Sequence, residues 1–193
     1  MTTINSVDLV KSKIRDIMDF PVKGIVFKDI TTVLRDKDGF KAIIDFMKDK
    51  FADKKIDYIA GMESRGFIFG SALAYELGVG FVPLRKPGKL PAETISESYD
   101  LEYGKNTLEI HKDAIEEGKR VLIVDDLLAT GGTALAACNL IKKVGAEVVA
   151  AVFVIELADL KGRDKMPSDV EVVSMVVYSV SYTHLRAHET VLD

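Results

Sequence analysis

The stretch of this chain best equipped for chemistry is Asp125-Asp126-Leu127-Leu128-Ala129-Thr130-Gly131-Gly132-Thr133. Glycines let a backbone pass close to an anion, and the unsatisfied N–H groups at a helix start point at it. Thr130 and Thr133 add hydroxyl donors. A phosphate fits that cradle. Asp125 and Asp126 do not suit a phosphate, since like charges repel. They suit the hydroxyls of a ribose, or a Mg²⁺ carried with the substrate. The run therefore reads as a sugar-phosphate site. No Gly-Lys-Ser/Thr follows the glycines, and the G-x-G-x-x-G spacing is absent, so neither a nucleoside-triphosphate loop nor a dinucleotide fingerprint is present.

Three further groupings could share that site. In Gly61-Met62-Glu63-Ser64-Arg65-Gly66, the Arg65 guanidinium can donate paired hydrogen bonds to a phosphate, with Ser64 adding to them. Arg85, Lys86 and Lys89 put three cations into a turn-rich stretch with Pro87 and Gly88, which suits a pyrophosphate clamp. Phe20-Pro21-Val22-Lys23-Gly24-Ile25-Val26-Phe27-Lys28-Asp29-Ile30 holds aromatics in a Pro/Gly-bounded loop, where a ring can stack on a planar base or anchor a core. His184 and His188 have the i, i+4 spacing of a metal pair but no evident third ligand. With one cysteine, Cys138, a disulfide framework is excluded and a reducing cytoplasm is the expected compartment. Cys138 falls in a helical pattern and reads as a small core residue.

The elements that must position these groups follow from the hydrophobic pattern. The apolar run 121–124 reads as a buried parallel strand that ends at the two carboxylates, followed by a helix over 134–144 that Gly145 stops. Further strands are expected at 57–61, 79–84, 148–155 and 170–177. A helix follows Gly66 through Leu77, and another covers 39–52 with Phe40, Ile43, Ile44, Met47 and Phe51 as its apolar stripe. A first helix, capped by Asn5 or Ser6, is expected to run to about Met18, where Pro21 ends it. Strand–helix alternation predicts an α/β fold with a mainly parallel twisted sheet flanked by helices. Ligands in such sheets bind beyond the strand C-termini, where the loops at Gly61, Arg85 and Asp125 all fall. Between 85 and 115 the pattern becomes polar and turn-rich, which predicts a small antiparallel flap over the site.

At 193 residues the chain suits one domain, here 1–178, and the remaining 179–193 are expected to lie outside the native fold. A net charge of −4 argues against a nucleic-acid partner. No apolar run reaches the ~20 residues of a membrane span, and residues 1–16 contain no apolar signal core.

Five segments in one order resemble those of the type I phosphoribosyltransferases, and among them the adenine-specific enzymes. They are Phe-Pro…Gly-Ile-Val-Phe-Lys-Asp-Ile (20–30), Gly-Met-Glu-Ser-Arg-Gly (61–66), Leu-Arg-Lys-Pro-Gly-Lys-Leu-Pro (84–91), Leu-Glu-Tyr-Gly (101–104) and Val-Asp-Asp-Leu-Leu-Ala-Thr-Gly-Gly-Thr (124–133). The resemblance spans nearly everything up to Tyr178. It implies the type I phosphoribosyltransferase fold, and purine salvage in which 5-phosphoribosyl pyrophosphate (PRPP) and adenine give AMP and pyrophosphate with Mg²⁺. It also implies a homodimer, and a Glu63–Ser64 peptide bond that is often cis. Carried over by position, Val26, Phe27 and Lys28 would hold the base, with Leu128 covering its other side. Glu102 would manage the purine imidazole proton, with Tyr103 beside it on the flap. Asp125 and Asp126 would meet the ribose hydroxyls, and Ala129, Thr130, Gly131, Gly132 and Thr133 would cradle the 5′-phosphate. Arg65, Arg85, Lys86 and Lys89 would serve the pyrophosphate, some of them across a dimer interface. Two rival readings are a phosphoribosyltransferase for a 6-oxopurine and a PRPP-sensing regulator. The latter would need a DNA-binding domain for which this acidic chain has no room.

Overall fold

The computed structural model describes residues 5–100 and 105–179. Five strands form one parallel sheet in the order β4-β3-β7-β8-β9: β3 (Tyr58–Met62), β4 (Gly80–Leu84), β7 (Arg120–Leu128), β8 (Glu147–Leu157) and β9 (Glu171–Tyr178). The connecting helices cover its two faces, α4 (Arg65–Leu77) between β3 and β4 and α5 (Gly132–Lys143) between β7 and β8. Along β7 the side chains alternate between two cores: Val121 and Ile123 pack with Leu140 and Ile141 of α5, Leu122 and Val124 with Phe69 and Leu73 of α4. Helix α3 (Lys37–Phe51) adds Ile43, Met47 and Phe51 to the second core, and Asp36 caps it by accepting the Gly39 N–H at 2.7 Å. Cys138 lies in the first core, where burial pushes its thiol up to about 11, which makes it a packing residue and not a nucleophile.

Two expectations are corrected here. Strand β7 does not stop at Val124 but runs through both carboxylates to Leu128, because the eleven-residue β8 offers it a ladder as far as Leu128↔Glu156. The first helix, α1 (Ser6–Lys13), is capped by Asn5 but ends five residues short of Met18. Arg15–Met18 is instead strand β1, paired antiparallel with β2 (Val26–Asp29). The apolar spacing of Val7, Val10, Ile14 and Ile17 fits a helix equally well. Opposed charges decide the outcome: Arg15 faces Asp29 and Asp16 faces Lys28, with ion pairs at 2.6 and 2.8 Å. Pro21, in the turn between them, follows a cis peptide bond. The ammonium of Lys28 also sits 4.1 Å from the centre of the Tyr178 ring, at the end of β9.

The segment after β4 leaves the sheet. Strands β5 (Thr94–Asp100) and β6 (Lys105–His111) form an antiparallel hairpin in register from Thr94↔His111 to Asp100↔Lys105. It leans on α5, where Asn139 donates to the Glu97 carboxylate at 2.9 Å and the Lys143 ammonium pairs with the same group. Its root is tied to β4 by the reciprocal Arg85–Glu109 backbone bonds of 3.0 and 2.7 Å.

Candidate active site

A cavity of about 420 Å³ opens at the carboxyl edge of the sheet, between the ends of β3 and β7 and the hairpin. Its lining brings together Arg65, Lys86, Asp125, Asp126, Leu128 and the whole run Ala129–Thr133. Two helix N-termini open onto it, those of α4 and α5, each with N–H groups that no intrahelical acceptor takes. Helix α4 can come this close to β7 because residue 66 is glycine: a Cβ there would stand 2.7 Å from the Val124 carbonyl oxygen. Gly131, with φ +81°, turns the chain into α5 in a conformation that side chains resist, and its carbonyl accepts the first helical bond from Leu135 at 2.9 Å.

The charges around this cavity are paired in a definite pattern. The Arg65 Nε donates to the Asp126 carboxylate. Burial works against the Arg65 charge, but Asp126, Asp125 and Asp29 together hold it above its ordinary value. Asp126 is nearly buried, and its N–H donates to the Asp125 carboxylate at 2.8 Å. Burial first, and then the charge of Asp126, push the Asp125 carboxyl well above the ordinary carboxylate range. Asp29, at the end of β2, is the opposite case. Hydrogen bonds from Thr31, then from Arg15, lower it to about 2.

The other basic residues are arranged differently from the expectation. Arg85 does not line the cavity. Both its Nε and Nη2 donate to Glu63 at 3.2 Å, and its Nη1 donates to the Lys89 carbonyl. The Lys86 N–H reaches the same Glu63 carboxylate at 2.9 Å. Burial would raise Glu63, but these donors outweigh it and hold the carboxyl below its ordinary value. Of the three cations of that stretch, only Lys86 lines the cavity; Lys89 is exposed. The Glu63–Ser64 peptide bond is cis.

Val26, Phe27 and Lys28 also lie outside the cavity lining. The Lys28 ammonium is taken by Asp16 at 2.8 Å, and the Phe27 ring meets Phe20 edge-on at 5.2 Å. Glu102 and Tyr103 lie outside the described residues, as do His184 and His188. Sequence reasoning missed Tyr99 and Asn106, which face each other across the hairpin ladder and both line the cavity. Nothing in their own types marks them. Only the hairpin register could have done so. Among the described residues no group of three or more His, Cys, Asp or Glu is placed to hold a metal ion. The arrangement can seat an anion on two helix ends, and a polyhydroxyl ring against two carboxylates.

Residues 29–186 match the phosphoribosyl transferase domain family. The adenine phosphoribosyltransferase of Thermosynechococcus vestitus is 57% identical over 168 residues, 87% of this chain and 98% of that protein. The crystal structure of adenine phosphoribosyltransferase from Thermoanaerobacter pseudethanolicus superposes with a TM-score of 0.86 at 52% identity, covering 89% of this chain and 99% of that one. The Saccharomyces cerevisiae adenine phosphoribosyltransferase, complexed with an iminoaltritol bisphosphate and adenine, gives 0.83 at 43% identity, covering 88% and 98%.

Proposed function

We infer that this chain, which belongs to the adenine phosphoribosyltransferase family of type I phosphoribosyltransferases, moves the 5-phosphoribosyl group of PRPP to adenine, giving AMP and pyrophosphate in purine salvage. The observation that carries the reading is the joining of the Ala129–Thr133 cradle, the acidic pair and Arg65 in one cavity of the right order of size for a nucleotide.

Within that site the roles divide by chemistry. Ala129, Thr130, Gly131, Gly132 and Thr133 hold the 5′-phosphate on the α5 N-terminus. Asp125 and Asp126 receive the ribose hydroxyls. As the bond from C1′ to the pyrophosphate oxygen breaks, positive charge grows on the ribose ring, and the nearby carboxylates stabilise it. Arg65 and Lys86 take the departing pyrophosphate, with Arg85 and Lys89 behind Lys86 holding its loop. Val26, Phe27, Lys28 and Leu128 flank the adenine. Glu102 and Tyr103, outside the described residues, belong to the flap in this reading, with Glu102 accepting the N9 proton. Mg²⁺ fits the donor set as a passenger of PRPP: two adjacent carboxylates are too few to hold it alone, and enough to complete a shell begun by phosphates. When bound, it neutralises charge on the leaving pyrophosphate. The hairpin keeps water away from the ribose, where hydrolysis competes.

The compartment proposed is the cytoplasm, and among the described residues no helix is long and apolar enough to cross a membrane. A homodimer completes the proposal. A groove on α3 and α4 lined by Phe40, Ile44, Ile68, Ala72 and Tyr75, with Ile68 and Tyr75 exposed, is an apolar face suited to a second copy. Sedimentation at the mass of one chain would remove it.

The deciding experiment is a base competition with PRPP and Mg²⁺, following nucleotide formation from adenine, hypoxanthine, guanine and xanthine. AMP from adenine alone is expected. Turnover of a 6-oxopurine instead would overturn the base assignment and leave the PRPP machinery standing. A related outcome checks the base shelf: Phe27→Ala raises the adenine KM about tenfold, as loss of ~1–3 kcal/mol of stacking requires, with the PRPP KM near wild type. Equal change in both constants would remove Phe27 from the base pocket.

A further inference from the structure

Between β8 and β9 the chain makes two single 3-10 turns, Ala158–Leu160 and Gly162–Lys165, joined at Lys161 with φ +53°. Nothing in its residue types suggested a part in the site. Its backbone nevertheless presses directly on the cradle. A Cβ on Gly162 would overlap the Ala129 carbonyl oxygen and stand 2.9 Å from the Gly131 nitrogen. A Cβ on Gly131 would in turn overlap the Gly162 carbonyl oxygen. Gly162 does not line the cavity that Ala129 and Gly131 line, so it meets the cradle from behind.

The neighbouring residue fixes this backstop. The Arg163 guanidinium grips Glu156 with Nε to Oε1 at 3.0 Å and Nη2 to Oε2 at 2.5 Å, and its Nη1 donates to the Val172 carbonyl at 2.7 Å. Glu156 is 6% exposed and stands opposite Leu128 in the β7–β8 ladder, one residue before the cradle begins. The contacts thus close a ring: Leu128 to Glu156 through the ladder, Glu156 to Arg163 through the ion pair, Gly162 to Ala129 and Gly131 through the backbone. A planar guanidinium makes this fork, and an ammonium does not.

We propose that Gly162 and Arg163, anchored by buried Glu156, are positioning residues that set the shape of the 5′-phosphate cradle and so the affinity for the phosphoribosyl substrate. This rests on the cradle assignment made above. A Cβ at 162 must displace the Ala129–Gly131 backbone, and a displacement of that kind costs on the order of ten- to a hundredfold at a pre-formed site.

The test measures PRPP and adenine KM and ribose 5-phosphate affinity by calorimetry for wild type, Gly162→Ala, Arg163→Met and Arg163→Lys, with Tm for each. Gly162→Ala is expected to raise the PRPP KM and the ribose 5-phosphate Kd by about tenfold or more. The adenine KM should stay within about twofold. Arg163→Met should move the same two constants in the same direction, with Arg163→Lys between it and wild type. If Gly162→Ala does not fold, the two Arg163 variants decide. Unchanged PRPP and ribose 5-phosphate constants overturn the proposal, as do PRPP and adenine KM rising together. A wild type that binds ribose 5-phosphate but makes no AMP would sink the reaction assigned above and leave the affinities to judge this proposal. A wild type that binds no ribose 5-phosphate sinks the cradle and the proposal with it.

Discussion

Asp126→Ala lowers kcat by about 10²–10³-fold while leaving the adenine KM close to wild type. The side chain is nearly buried at the cavity wall, and its one strong partner is Arg65. With no ribose bound, the two charges satisfy each other. A pyrophosphate arriving at Arg65 offers the guanidinium a second anion, and Asp126 becomes available to the ribose as positive charge develops there. Alanine removes that stabilisation when it is needed, and it deprives Arg65 of the carboxylate that holds its guanidinium before the substrate arrives. The adenine constant is the control, because the proposed base residues Val26, Phe27 and Lys28 do not line the cavity wall that Asp126 and Arg65 share. Steady-state kinetics at saturating PRPP provide the check. Wild-type turnover in the variant would take the ribose role away from Asp126.

Asp125→Asn has effects of opposite sign on two properties: it abolishes most of the turnover and raises the stability of the ligand-free protein. Burial and the neighbouring Asp126 push this carboxyl well above its ordinary value of 3.8. A carboxyl whose folded value lies above its unfolded one costs nothing at pH below the unfolded value, where both states hold the proton. As pH rises past that point the unfolded chain ionises more readily, and stability is lost until the folded value is passed. Asparagine keeps an oxygen to accept the Asp126 N–H and has no charge to desolvate. The variant's advantage should therefore be absent below about pH 4 and grow as pH rises above it, with Tm rising by about 2–4 °C for each kcal/mol recovered. Thermal unfolding at acidic and neutral pH, beside an activity assay, tests this. A Tm gain of equal size at both pH values would show that the charge of Asp125 is not its source.

What could be read from residues alone was whatever is local. The glycine-threonine cradle, the acidic pair and Arg65 announce themselves by type and order, and the strand patterns at 57–61, 79–84 and 121–124 mark three neighbouring strands of the parallel sheet, β3 and β7 largely buried and β4 half-covered at the edge. The errors fall where a tertiary partner outvotes a local pattern. Ile14 and Ile17 suit a helix until Arg15 and Asp16 find Asp29 and Lys28 across a ladder. Asp125 and Asp126 look like a loop until β8 supplies hydrogen bonds beside them. Arg85 looks like a phosphate ligand until Glu63, half-buried in the turn after β3, claims its guanidinium. Gly162, Tyr99 and Asn106 carry no signal of their own. Their meaning is an approach between segments distant in sequence.

The contact of Lys28 with the Tyr178 ring bears on where the chain can be cut. Tyr178 closes the last rung of the sheet, opposite Leu157, and with the same ring steadies the hairpin that carries Phe27. A protein shortened to end just after residue 178 retains both services. One shortened by a single residue more loses an edge rung and loosens a base-holding strand at the far side of the molecule's sequence. The tolerance of this terminus to trimming should thus end in a step at one tyrosine, and the loss on crossing it should be read first in the handling of adenine.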